Sequence, residues 1–426
     1  MNIAFLPDLS ALAILIFILA LVRRRHSDPR ADAWLVGLFF TLVEAGAHTL
    51  YAPHGMPDKI LHLIVLDCYL LAGLVFNWAA GDQTQEPNSR LQYLALNGLT
   101  LLVLTTLYGW NIRVPGPYIP AIVVGAIVGV LTSIFLRHNW RYALMYVGGW
   151  GGIAVLVAEG RFRPAVYWSL TCVYAIAALN FHRRLAPRST GRLAIVTGFS
   201  IWALCFLLHP WVITYHPGYA DIASHVWNMQ KSLISIGMIL VMLEEQVTSN
   251  EWLALHDELT GLPNRRLFAS RLTTAIEQTD RRNSSLALVV LDLNDFKKIN
   301  DTLGHVAGDQ VLREVASVLR KNIRASDTVA RLGGDEFIIV ATNMASEGAV
   351  ERFTDSLRCA MERPMMINDQ AMIVGASFGF AIYPRDASDA MKLLRLADQR
   401  MYGLKRKTVH PAQIPATVTA ASVQQA

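Results

Sequence analysis

The sequence predicts a two-part chain, an all-α polytopic membrane bundle followed by an α/β domain, on three observations. Of 426 residues, 53% are hydrophobic, yet the last third is ordinary soluble sequence, so the apolar excess lies upstream as repeated stretches of about 20 residues. Residues 286–293 (LALVVLDL) form a nearly unbroken apolar run of strand length, which suits a strand buried on both faces. Two further apolar, β-branched runs, 328–332 (TVARL) and 337–341 (FIIVA), flank the pair Gly333-Gly334, which reads as a tight hairpin.

Nine spans are expected, at about 4–22, 33–52, 60–80, 92–110, 118–136, 142–158, 164–182, 193–214 and 222–243. The sixth is short and glycine-rich, which also suits a re-entrant segment. With the N-terminus outside, the inner loops hold Arg23, Arg24, Arg25, Arg30, Arg90, Arg137, Arg141, Arg183, Arg184, Arg188 and Arg192. The outer loops hold only Lys59, Arg113, Arg161 and Arg163. Cationic loops stay inside, so the bias sets N-out and C-in and puts residue 251 onward in the cytoplasm. That bias accounts for most of the net charge of +5, so no nucleic-acid partner is expected. Because arginines follow the first apolar run rather than precede it, a retained span is expected rather than a cleaved signal. Cys68, Cys172, Cys205 and Cys359 show no paired spacing and read as buried thiols.

Ionisable residues inside apolar spans are costly without a partner. Glu44 and His48 share a face of the second span, His62 and Asp67 lie in the third, and His225, Asn228 and Lys231 in the ninth. A pocket for a ligand, metal or haem, or interhelical hydrogen bonds that fix the bundle, would each account for them. His54, His209 and His216 fall near expected membrane interfaces. Ile236, Leu240, Leu243 and Val247 recur at four, three and four residues, an apolar seam leading out of the ninth span, and Asn250 continues its register. The chain is expected to divide into a bundle at 1–243, a helical linker at 244–256, a soluble domain at 257–408 and a disordered Ala/Thr/Gln-rich tail at 409–426.

Chemistry concentrates in the soluble domain. Asp335 and Glu336 sit at the hairpin tip, and adjacent carboxylates suit a bound cation, although a solvated acidic turn would look the same. Asp292 ends the 286–293 run. Should that strand lie beside the hairpin, Asp292 and Asp335 converge, and hard oxygen ligands point to Mg²⁺ (or Mn²⁺) rather than zinc. Mg²⁺ held by few carboxylates completes its shell with water and phosphate, so a nucleotide is the natural partner.

Several blocks in one order carry a family resemblance: His256 to Arg265 (HDELTGLPNR), Asp292 to Asp309, Arg331 to Phe337 (RLGGDEF), Ser377-Phe378-Gly379-Phe380-Ala381 with Tyr383-Pro384, and Ala397-Asp398 with Met401-Tyr402 and Lys405. Residues 251–408 resemble the GGDEF diguanylate cyclases, which join two GTP molecules into cyclic di-GMP. The resemblance implies a palm-like α/β sandwich, a mostly antiparallel sheet with helices packed on it. The strands are expected near 286–293, 328–332, 337–341 and 372–381, with helices near 263–279, 311–320, 347–361 and 388–402. It implies metal ligation by Asp292, Asp335, Glu336 and the Leu293 carbonyl, with Glu336 also a candidate base for the attacking hydroxyl. It further implies guanine recognition by Asn300 and Asp309, phosphate contacts from Lys297 and Lys405, close triphosphate approach at Gly333 and Gly334, and a basic role near the site for Arg331. Asp257 and Arg265 correspond to architectural positions. Catalysis in the family needs a homodimer, each protomer holding one GTP.

Arg324-Ala-Ser-Asp327 matches the family's RxxD site, five residues before the hairpin signature, where cyclic di-GMP restrains the enzyme; a helix-terminal salt bridge is the plain alternative. Two departures stand out. Asn294 replaces a usual aspartate, and the segment 404–410 (LKRKTVH) lacks the usual arginine, for which Arg406 or Lys407 could substitute. Three functions fit: a membrane-bound cyclase under sensory control, with biofilm-type signalling as its output; a catalytically weak receptor for GTP or cyclic di-GMP; and, least well, a transporter bundle with a regulatory domain.

Overall fold

The structure, a computed structural model, describes residues 6–25, 29–50, 56–80, 87–135, 140–216, 220–344, 346–368 and 370–405. His54, Arg137, Arg406, Lys407 and the tail 409–426 lie outside them. The chain divides into two compact units, Met1–Gln246 and Val247–Ala426.

The first unit is helical: α1 (Leu6–Arg25), α2 (Pro29–Leu50), α3 (Met56–Ala79), α4 (Pro87–Gly109), α5 (Tyr118–Phe135), α6 (Trp140–Ala158), α7 (Phe162–Arg184), α8 (Thr190–Tyr215) and most of α9 (Ala220–Leu255). Among the described residues, nine helices are long and apolar enough to cross a membrane. The expected sixth span is a full helix of 19 residues. The unit has an apolar core that also buries polar side chains, Thr41, Glu44, Asn97, Gln230 and Lys231 among them, and it exposes large apolar ones such as Ile14, Phe17, Phe39 and Leu99. Exposed apolar surface on helices of this length is compatible with packing in an apolar solvent, where polar groups must find partners in the bundle. Its centre is an aromatic layer in which Tyr174 meets Trp202, Phe199 and Phe206 at ring-centroid distances of 4.4, 6.0 and 5.3 Å. Within this unit Lys231 pairs with Glu44, accompanied by Asn228.

The second unit is built on a four-stranded antiparallel sheet ordered β2 (Thr328–Gly333), β3 (Glu336–Thr342), β1 (Leu286–Leu293), β6 (Ala376–Tyr383). All eight residues of the central β1 are buried, as its unbroken apolar run requires. Side chains alternate across a strand, so Ala287, Val289 and Leu291 pack under α12 (His305–Lys321) and α13 (Glu347–Met361). Leu286, Leu288 and Val290 face α10 (Arg265–Arg281) and α14 (Ala390–Lys405). The parity therefore puts Asp292 on the α10/α14 face.

The expected last strand at 372–381 shifts. Gln370–Met372 (β5) pairs instead with Met365–Ile367 (β4) in a separate hairpin, and β6 starts at Ala376, opposite Leu293. A short helix not expected from sequence, α11 (Phe296–Leu303), follows β1 after a left-handed Asp295 at φ 54°.

Candidate active site

The site grows from the end of β1. Asp292 is paired in register with Glu336 on β3 and with Ser377 on β6, so the three side chains emerge on one face. The β2–β3 turn closes on Gly334 and Asp335, with Gly333 at φ 148° and Gly334 at φ 55°, backbone that favours glycine. The Leu293 N–H donates to the Asp335 carbonyl at 3.3 Å, which draws the turn against β1. Sequence spacing thus brought together the residues expected to meet: Asp292, Leu293, Asp335 and Glu336 form one corner of the sheet.

That corner is electrostatically loaded. Burial, then the Asp292 charge, pushes the Asp335 carboxyl above its ordinary value. Burial, then Asp292, Asp398 and Asp335, does the same to Glu336. Lys405, at the end of α14, lays its ammonium on Asp292. Asp398 and Arg265 were not assigned to the site from sequence. They act on Glu336 because α14 and α10 pack on this face, a placement no local pattern encodes.

Asp335 and Glu336, whose ionisation is opposed by burial and by neighbouring charge, stand beside Asp292 with its seated amine, and such clustered carboxylate oxygens fit a hard divalent cation. Among the described residues no three His, Cys, Asp or Glu side chains stand ready to enclose one ion. Mg²⁺ does not need such a cage, because it takes one or two carboxylates and completes its shell with water and phosphate.

Arg331 is a clasp. Its guanidinium donates to the Gly334 carbonyl at 3.0 and 2.7 Å and to both Asp257 oxygens at 2.9 and 3.1 Å, leaving only 11% of the side chain exposed. Asp257 also accepts from the Thr260 N–H at 2.9 Å and its hydroxyl at 2.6 Å. Burial works against that carboxylate, but the Thr260 and Arg331 hydrogen bonds outweigh it and hold the carboxyl below its usual value. The pair fixes the hairpin tip to the segment that leads into α10.

Asn300 on α11 and Asp309 on α12 flank the elbow between the two helices, where Gly304 turns the chain at φ 83°. Gly308 leaves room for the Asn300 carboxamide, with which an added Cβ would collide. Lys297 and Asp309 are exposed there. Asn294 accepts from the Ser377 hydroxyl at 2.8 Å, a bond an aspartate could also accept.

In the RxxD segment the two members part company. Arg324 is exposed, whereas Asp327 is 8% exposed and its carboxylate is spent on the Arg324 and Thr342 N–H groups, each at 3.1 Å, and on the Ser326 and Thr342 hydroxyls. Asp327 ties the start of β2 to the end of β3.

Residues 254–410 match the family model described as "Diguanylate cyclase, GGDEF domain". The C-terminal unit thus carries a GGDEF domain, the class whose curated members include diguanylate cyclases. Diguanylate cyclase TpbB of Pseudomonas aeruginosa is 39% identical over 166 residues, 39% of this chain and 38% of that protein. The bifunctional diguanylate cyclase/cyclic di-GMP phosphodiesterase MucR of the same organism is 42% identical over 153 residues, 36% of this chain and 22% of that protein. A solved structure of the TpbB GGDEF domain is 40% identical, covers 36% of this chain and 90% of its own, and has a TM-score of 0.35. The chain spans well under half the length of both curated relatives.

Proposed function

We propose that this protein is a membrane-bound diguanylate cyclase that condenses two GTP into cyclic di-GMP and two pyrophosphates. The observation that carries the reading is the meeting of Asp292, Asp335 and Glu336 at one sheet corner, within a segment similar to known cyclases. In each half-reaction the ribose 3′-hydroxyl of one GTP attacks the α-phosphorus of the other. The new O–P bond forms as the bond to pyrophosphate breaks. Glu336, its affinity for a proton raised by burial and by Asp292, suits acceptance of the hydroxyl proton. Mg²⁺ held by Asp292, Asp335 and the Leu293 carbonyl would neutralise charge on the triphosphate when bound.

Asn300 and Asp309 offer the amide and carboxylate that complement guanine's edge. Lys297 is free to reach phosphate, and Lys405 would exchange Asp292 for phosphate on substrate entry. Each chain supplies one half-site, so two chains must face one another, and the α9 seam is the element that would align them. The nine apolar helices would hold the protein in the bacterial inner membrane with the catalytic unit in the cytoplasm. Cyclic di-GMP would bind at Arg324 as a feedback inhibitor.

One observation favours a second reading. Lys405 is committed to Asp292 and the segment after it departs from the family pattern, which would suit a domain that binds GTP or cyclic di-GMP without turnover. Purified full-length dimer incubated with GTP and Mg²⁺, its products resolved by chromatography and mass spectrometry, separates the two. Cyclic di-GMP and pyrophosphate in a 1:2 ratio are expected; nucleotide binding without product would leave the receptor reading.

A further inference from the structure

Helices α3, α4, α6 and α7 enclose a cavity of ≈ 80 Å³, several times what one water needs. Its wall is largely apolar, with the rings of Tyr93, Tyr142, Tyr146 and Trp150 set among aliphatic side chains, and it contains no Asp, Glu, Lys, Arg or His. The amides at its edge are mostly satisfied. Asn77 donates to the Gly73 and Val173 carbonyls at 2.9 and 3.0 Å and accepts from Asn180 at 3.0 Å. Tyr93 and Tyr146 share a hydrogen bond of 2.8 Å.

Asn97 is the exception. It lines the cavity and is only 4% exposed. Its Nδ2 donates to the Tyr93 carbonyl at 2.7 Å and to the Thr132 hydroxyl at 2.9 Å, and its Oδ1 has no partner among the described residues. A buried acceptor left unpaired costs about 1–3 kcal/mol, and an apolar bundle offers no solvent to relieve it. A carbonyl oxygen kept in that state beside this cavity is a docking point for a donor.

We infer that this cavity is a binding site for a small, uncharged, planar aromatic compound carrying one N–H or O–H group, which donates to Asn97 Oδ1 while its ring lies among the tyrosines and Trp150. A charged ligand is excluded by the absence of any counter-charge in the wall. An isostere lacking the donor would fill the same space and leave Oδ1 unpaired, so the site should discriminate on that one group.

Indole and benzofuran test this, because they share a shape and differ in a ring N–H against a ring oxygen. The thermal midpoint of full-length protein in detergent is titrated with each. Indole should raise it saturably, with half-saturation at least about fivefold below that of benzofuran. Asn97→Leu should abolish the difference. Gly149→Leu, where an added Cβ would meet only the Cys172 sulfur at 3.7 Å, fills the cavity and should abolish saturable stabilisation by both. Equal half-saturation for the two compounds, no saturable response to indole, or a response that survives Gly149→Leu would each overturn the inference. Should Asn97→Leu fail to fold, the comparison on the parent protein decides alone.

Discussion

Asp335 and Glu336 are held more protonated than free carboxyls, and that has a sign. A carboxyl whose value is raised in the folded state binds more protons there than in the unfolded chain, so folding stability is full at low pH and is lost as pH rises. The window opens above the ordinary values of 3.8 and 4.5. With chelator present, the thermal midpoint should fall as pH rises through that window, and Asp335→Asn should flatten the fall; a parent and variant with parallel profiles would contradict the electrostatic account. In activity the same substitution should work in the opposite sense. Asp335→Asn and Glu336→Gln should each lower cyclic di-GMP formation by about 10²–10³-fold or more while circular dichroism stays native. Arg324→Ala should relieve inhibition by added product, read as a rightward shift of the inhibition curve. Asp327 is unsuited to that test, because its carboxylate holds β2 to β3 and its loss would unsettle the fold. At this scale Asp292, Asp335 and Glu336 were legible because a strand end and a hairpin tip are local features. Arg331 was legible only as a basic residue near the site, since its commitment to Asp257, 74 positions away, is a tertiary fact.

The elements show the same division. β1 to β3 were readable from apolar runs and glycines, and α10, α13 and α14 fall close to the ranges the resemblance implied, while α12 begins six residues before its expected start at 311. β6 was misplaced by a few residues because 370–372 carries strand-like sequence that pairs with β4 instead. α11 escaped notice because FKKINDTL buries only Ile299. What local sequence could not specify is how α14 seats on the sheet, and one residue decides it. At Gly379 on β6 an added Cβ would collide with the Met401 backbone and the Ala397 carbonyl of α14. Gly379→Ala should therefore cost about 1–3 kcal/mol and, by tilting the helix that carries Asp398 and Lys405, reduce turnover more than substrate binding. Denaturant unfolding and a kcat against KM comparison check both halves; unchanged stability would mean that α14 can move aside freely.

At the scale of the whole chain, the bundle buries an ion pair, Lys231 with Glu44, within an apolar core and exposes many large apolar side chains, a surplus that composition foretold in outline. Which polar groups pair, such as Lys231 with Glu44, was decided by helix packing. Of the seam expected along α9, Ile236, Leu243 and Val247 are 43, 42 and 56% exposed on one continuous helix, while Leu240 is half-buried. Inside an apolar phase such exposure carries no penalty, but Val247 begins the second unit, and Trp252 and Leu253 beyond it are 46 and 45% exposed. In water those side chains would favour a covering surface of like kind, and in the dimer proposed above a second α9 would supply one in register. Val247→Glu should then weaken self-association of the full-length protein in detergent, shifting the dimer–monomer midpoint to at least about tenfold higher concentration. Specific activity should fall in proportion to the dimer lost and recover at high protein concentration. If the variant stayed dimeric and fully active, the seam would have no part in assembly; if it stayed dimeric but lost activity, α9 would act on the alignment of the two catalytic units rather than on their meeting.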